Sequence, residues 1–132
     1  MKAQLKKELY AKATEAMKNA YAPYSGFTVG AAVLLKDGRV ITAGNVENAS
    51  YGLTICAERA AIFSAVSQGV KPGDIVAIAI DANASGFSPC GACRQVIKEF
   101  STEDTDIMVI FPWNGKLVSK PISKLLNFGF QL

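Results

Sequence analysis

The sequence predicts an α/β fold, a three-layer α/β/α sandwich built on a mixed five-stranded sheet. Three observations carry that reading. An amphipathic segment opens the chain, two β-rich runs joined by Asp37-Gly38 follow it, and helical segments then alternate with apolar runs of strand length. The hairpin makes the first two strands antiparallel, while the later strands are joined by helical crossovers, which is what a mixed sheet requires.

Each element has its own warrant. Over residues 4–20, Leu5, Leu9, Ala13, Ala16, Met17 and Ala20 recur at three- and four-residue steps, the period of a helix with one apolar face, and Pro23 is expected to end it. FTVGAAVLLK, residues 27–36, reads as a strand, and Asp37-Gly38 turns it into RVITAGN, residues 39–45. The loop NVENASYGLT follows, rich in turn-forming Asn, Ser and Gly. Residues 56–68 form a helix of small residues that Gly69 stops. DIVAIAID, residues 74–81, is a continuous apolar run of the kind a parallel sheet buries on both faces. A further helix is expected from Pro89 to about Phe100, then the strand IMVIFP at 107–112. Asn114-Gly115 turns the chain into KLVSK, and a short helix covers Ile122 to Leu126. Repeats, linkers and low-complexity stretches are absent, so residues 1–132 read as one domain.

Composition narrows the function. Half of the residues are apolar, 19% are charged and the net charge is +3, an ordinary globular balance. Lysines thin out after the first helix, and no basic run is interleaved with aromatics, so a nucleic-acid partner is not expected. The amino-terminal MKAQLKKELYAKATEAM is charged throughout, unlike a signal peptide, and no stretch has the length of a transmembrane helix. Three cysteines cannot all pair within one chain, and the expected location is the cytoplasm, where cysteines more often serve metal or chemistry than disulfides.

The cysteines carry the sharpest signal in a chain with no histidine. Cys56 stands in ICAERAAIF, residues 55–63, and Cys90 and Cys93 in SPCGACRQ, residues 88–95. Pro89 suits a first helical position, because its missing N–H costs nothing there. That would set Cys90 and Cys93 on one face of the first turn, with Cys56 likewise opening its own helix after Thr54. Helix-start amides favour the thiolate that a metal needs. Three protein ligands would leave a tetrahedral zinc one open position, the arrangement of catalytic sites. The residues alone leave other readings open. Cysteines can be small core hydrophobes, C-x-x-C can be a redox pair, and a structural site could recruit a carboxylate as fourth ligand.

Glu58, two residues past Cys56, could simply compensate a helix dipole, but beside a metal ligand it suits general acid/base work. Three thiolates around Zn²⁺ carry excess negative charge, so a cation should lie near. Arg59 and Arg94 are the candidates, and Arg59 is preferred as a guanidinium donating to thiolate sulfur.

Cys-Ala-Glu followed by Pro-Cys-x-x-Cys resembles the signature of the zinc-dependent nucleoside deaminases. Polynucleotide deaminases begin the first motif with histidine. The all-cysteine form here is similar to the small homotetrameric cytidine deaminases. YAPYSGFTVGAAVL at 21–34, GNVENASYGLTICAERAAIFSAVSQG at 44–69 and SPCGACRQVIKEF at 88–100 extend the resemblance along nearly the whole chain. It implies the cytidine deaminase-like sandwich, one Zn²⁺ per chain on Cys56, Cys90 and Cys93, and Glu58 as the proton carrier. It further implies that Phe27 packs near the nucleoside, that Asn45 and Glu47 bind the ribose 3′-hydroxyl, and that the Ala57 backbone reads the pyrimidine edge. Gln95 is expected to support the second zinc helix. Phe130, or else Phe128, would offer its ring to a neighbouring subunit's site, although LLNFGF at 125–130 departs from a common Pro-Gly-containing pattern there.

The reaction so implied is hydrolytic deamination of cytidine and 2′-deoxycytidine to uridine and 2′-deoxyuridine plus ammonia, a step of pyrimidine salvage, by a homotetramer. Two alternatives stand beside it: a deaminase of a cytosine nucleoside antibiotic such as blasticidin S, and a non-catalytic zinc-stabilised module that binds nucleic acid.

Overall fold

The computed structural model describes residues 1–132. Helix α1 (Ala3–Ala16) precedes the hairpin β1 (Val29–Leu35) and β2 (Val40–Gly44). Helix α2 (Ala57–Ser67), strand β3 (Ile75–Ala82), helix α3 (Gly91–Glu99), strands β4 (Met108–Trp113) and β5 (Lys116–Pro121) and the single turn α4 (Ile122–Leu125) complete the chain. The five strands form one mixed sheet in the order β2-β1-β3-β4-β5. All neighbours are antiparallel except β3 and β4.

Period-two alternation in β1 supplies both faces of the sheet. Ala31, Val33 and Leu35 point into the larger core with Ile62, Ala65 and Ile97 from α2 and α3. Ala32 and Leu34 point the other way and meet Leu9 and Ala13 of α1. All seven residues of β1 are buried, so the sheet is covered on both faces, the middle of the three layers that the sequence predicts.

Close approach on the α1 side depends on glycine. A Cβ on Gly30 would lie 2.0 Å from the Ala13 carbonyl oxygen, so no side chain fits where α1 crosses β1. The two hairpin turns form where expected, with Gly38 at φ +92° in the first and Asn114 and Gly115 at φ 50° and 74° in the second.

Some expectations need correction. α1 stops at Ala16, followed by a 3₁₀ turn at Met17–Asn19, well before Pro23. The next residues are claimed by the sheet side of the molecule: Tyr21 N–H donates to Asn45 O at 2.8 Å, and Glu47 N–H to Tyr21 O at 2.8 Å. Nor is β3 a purely parallel strand. It lies antiparallel to β1 and parallel to β4, buried on both faces because helices cover both.

Strand direction places the site. β2 and β3 both run opposite to β1, so both end at the same edge of the sheet. α2 follows β2 and α3 follows β3, and the amino-terminal ends of both helices meet at that edge.

Candidate active site

Cys56 and Cys90 are the N-cap residues of α2 and α3, each extended, at φ −71° and ψ 152° and at φ −67° and ψ 169°. Pro89 therefore lies one residue outside the helix, not at its first position. The Cys90 thiol takes the capping role and accepts from Cys93 N–H at 3.5 Å, which displaces Pro89 outward. The three sulfurs lie within 4.8 Å of one another, and no disulfide joins them. Cys93 is fully buried, Cys56 half-buried and Cys90 exposed.

The electrostatics favour thiolate at Cys56. The Cys56 thiol is pulled down to about 5, first by a hydrogen bond from Cys93 and then by the Arg59 guanidinium, whose Nη2 donates to Cys56 Sγ at 3.2 Å. Cys93 is pushed up by that same bond and by its burial. Three sulfurs converging within 4.8 Å, with a guanidinium donating to one of them, are a donor set that fits a soft divalent ion such as zinc. Arg94 does different work. It donates to Pro89 O at 2.7 Å, Leu125 O at 2.8 Å and Ser88 Oγ at 3.2 Å, bracing the loop into α3 against α4.

Glu58 is 1% exposed, and its Oε1 is buried without a hydrogen-bond partner. Burial, reinforced by the charge of Cys56, raises its carboxyl to about 6. A carboxylate left unpaired in a protein interior is costly, and one poised near neutrality can both take and return a proton. Ala57, fully buried beside it, is the first residue of α2, so its N–H has no carbonyl behind it in the helix.

Cys56, Cys90 and Glu58 line a cavity of about 250 Å³ together with Phe27, Asn45 and Glu47. Asn45 is more constrained than the sequence suggests. Its Oδ1 accepts from Val29 N–H at 2.8 Å and its Nδ2 donates to Phe27 O at 2.9 Å, which leaves one amide hydrogen and one lone pair for anything else. Glu47 accepts from Tyr24 N–H at 2.9 Å and Ser25 N–H at 3.1 Å, and from the Ser25 hydroxyl. The Ser25 bonds hold its carboxyl below the usual range and keep it anionic.

Sequence reasoning missed Phe87 and Asn83. The Phe87 ring meets Phe27 with centroids 5.8 Å apart and planes tilted by 56°, forming an aromatic wall. Asn83 accepts from Thr28 N–H at 3.1 Å and donates to Gly26 O at 2.9 Å, fixing the backbone on both sides of Phe27. Their only signal was a run of turn residues after β3, which reads as a connection.

Gln95 and Phe130 stand apart from this cavity. Gln95 bonds with the Phe130 backbone rather than with a cysteine, so its support goes to the carboxy-terminal segment. Phe130 is 67% exposed, and Phe128 is fully exposed at φ 56°.

Comparison with known proteins follows this geometry. Residues 3–109 match the family described as cytidine and deoxycytidylate deaminase zinc-binding region. A cytidine deaminase of Halalkalibacterium halodurans is 52% identical over 123 residues, covering 92% of this chain and 91% of the relative. The crystal structure of a cytidine deaminase from Burkholderia pseudomallei superposes with a TM-score of 0.87 at 42% identity, covering 98% of this chain and all of that one. A blasticidin-S deaminase of Bacillus cereus is 38% identical over 109 residues, 77% of this chain and 76% of the relative.

Proposed function

The chain belongs to the cytidine and deoxycytidylate deaminase zinc-binding family, and from that premise we propose how its own residues carry the reaction. It is a zinc enzyme that hydrolyses cytidine to uridine and ammonia, with one ion per chain on Cys56, Cys90 and Cys93. 2′-Deoxycytidine is taken to be a second substrate. The observation that carries the mechanism is the unpartnered Oε1 of Glu58, buried in a chain whose three sulfurs converge and lining, with Cys56 and Cys90, an aromatic-walled cavity.

Zinc bound there supplies Lewis acidity, making water a nucleophile near neutral pH. Glu58 accepts a proton from the attacking water and delivers it to ring N3 as oxygen bonds to C4. It then moves the proton of the new C4 hydroxyl to the departing amine, and the C4–N4 bond breaks to leave the C4 carbonyl and release ammonia. The buried N–H of Ala57 meets the pyrimidine edge. Phe27 holds the base against the wall that Phe87 completes. Asn45 and Glu47 take the ribose 3′-hydroxyl, Asn45 with its spare amide hydrogen and Glu47 as the anionic acceptor. The Arg59 guanidinium offsets the thiolate charge.

Self-association as a homotetramer is part of the proposal, supported by apolar side chains left in solvent at Tyr51, Leu53, Phe63 and Phe130. In that assembly Phe130 reaches the pyrimidine in a neighbouring subunit's site. No helix is long and apolar enough to cross a membrane. A cytoplasmic role in pyrimidine salvage fits the substrate.

The relative acting on blasticidin S keeps a second reading in view, and one experiment separates the two. Zinc-loaded protein is mixed with cytidine or with blasticidin S, and the ultraviolet change is followed to completion. Conversion of cytidine at an enzymatic rate is the expected result. Turnover of the antibiotic alone would overturn the ribonucleoside assignment, and turnover of neither would overturn the mechanism.

A further inference from the structure

The segment after α4 is fastened to α3 by its main chain, while its aromatic ring is left in solvent. Gln95 Nε2 donates to Phe130 O at 2.6 Å, and Gln95 Oε1 accepts from Phe130 N–H at 3.3 Å. One primary amide thus engages both polar groups of one residue, the pairing a neighbouring strand would otherwise make. One residue later, Gln131 Nε2 reaches Lys98 O at 3.0 Å and Ser101 O at 3.5 Å. One residue earlier, Gly129 packs so closely that a Cβ would lie 2.8 Å from Leu126 Cδ2 and 3.0 Å from Lys98 Cγ.

Fixing backbone in this way costs conformational entropy, and the Phe130 ring recovers little of it within its own chain. The ring does not line the cavity that holds Glu58. With its main chain clamped, Phe130 keeps only its side-chain torsions free, so the clamp decides where the ring is presented. The clamp also comes from α3, the helix that Cys90 caps and that carries Cys93.

We propose that Gln95 is a positioning residue, which holds Phe130 by its main chain so that the ring enters the nucleoside site of a second copy of this chain. The inference rests on the reading of Phe130 given above. It assigns to Gln95 a task outside its own metal centre, and it favours Phe130 over Phe128, whose ring lies outside the clamp. Gln95 acts through Phe130 and touches neither substrate nor metal.

The test is a double-mutant cycle on the zinc-loaded enzyme with Q95M, F130A and the pair. Methionine keeps the length of glutamine and loses both hydrogen bonds. Loss of a contact made equally in ground and transition states raises KM and leaves kcat alone. Q95M is expected to raise KM for cytidine about tenfold, equivalent to ~1.4 kcal/mol, with kcat and zinc content unchanged. F130A should raise KM at least as much, and adding Q95M to F130A should change nothing further, because the ring it places is gone. Equal effects of Q95M in both backgrounds would overturn the proposal, as would loss of zinc in Q95M. If F130A raises KM and Q95M does not, only the role of Gln95 falls. If F130A leaves KM unchanged, the reading of Phe130 falls first and Gln95 with it.

Discussion

At the scale of single residues, the proposed mechanism gives the proton to Glu58 and the compensating charge to Arg59. Glu58 has a buried oxygen with no partner and a carboxyl raised to about 6, which suits it to proton transfer rather than to a structural task. E58Q should lower kcat by about 10²–10⁴-fold while the protein still binds one zinc, checked by steady-state kinetics beside metal analysis of the same sample. Near-normal turnover in that variant would remove Glu58 from the mechanism. Arg59 touches sulfur directly, at 3.2 Å from Cys56 Sγ. Its loss leaves the thiolate cluster uncompensated, and R59A is expected to weaken zinc affinity by roughly 10–100-fold in competition with a chromogenic chelator. The placement of both beside Cys56 was legible in the sequence because cysteine is scarce in this chain and its neighbours in ICAERAAIF are few. Asn83 and Gln95 were not. Their partners lie 55 and 35 residues away, and no local pattern encodes a hydrogen bond across that separation.

Among elements, α1 is the one that packs alone on its face of the sheet. Besides its apolar stripe it has a polar latch: Thr14 Oγ1 donates to Asp81 Oδ2 at 2.7 Å, and the Tyr10 phenol feels the same carboxylate on β3. Burial, helped by that carboxylate, raises the Tyr10 phenol to about 12. The folded chain therefore holds this proton more tightly than the unfolded chain does. The latch contributes fully below pH 10 and is lost as pH climbs towards 12. An ultraviolet titration should show one phenolate appearing near pH 12, and Y10F should abolish that late step. A Tyr10 that ionises at its ordinary value would mean the latch is open in solution. The elements themselves were readable from periodicity, because burial on one face demands it. Their ends were less so. Pro23 was a plausible stop for α1, yet the pairing of Tyr21 with residues 45 and 47 draws the chain out of the helix earlier. Pro89 likewise gave way to a capping thiol, a choice decided by where the sulfurs converge.

For the whole molecule, the surface bears on assembly. Phe63 and Val66 stand three residues apart on the outer face of α2, both exposed, and a 14.0 kDa chain that leaves such groups to water is suited to bury them against copies of itself. Sedimentation velocity should show a species near four chains, and F63E should shift it to smaller ones. A monomer at every concentration would exclude the tetramer and the cross-subunit role of Phe130 together. Sheet order was the least legible part of the fold, since nothing local says that β3 inserts between β1 and β4. That insertion has a consequence in time. Cys90 and Cys93 are near neighbours in sequence and can grasp an ion in a chain that is still open, whereas Cys56 reaches them only after β3 is laid beside β1. With no histidine to offer a substitute, a nascent chain can hold zinc only weakly, in a form a chelator can strip. Resistance to chelation should then mark the moment at which the long-range strand pairing closes, which makes the ion a clock for that step of folding.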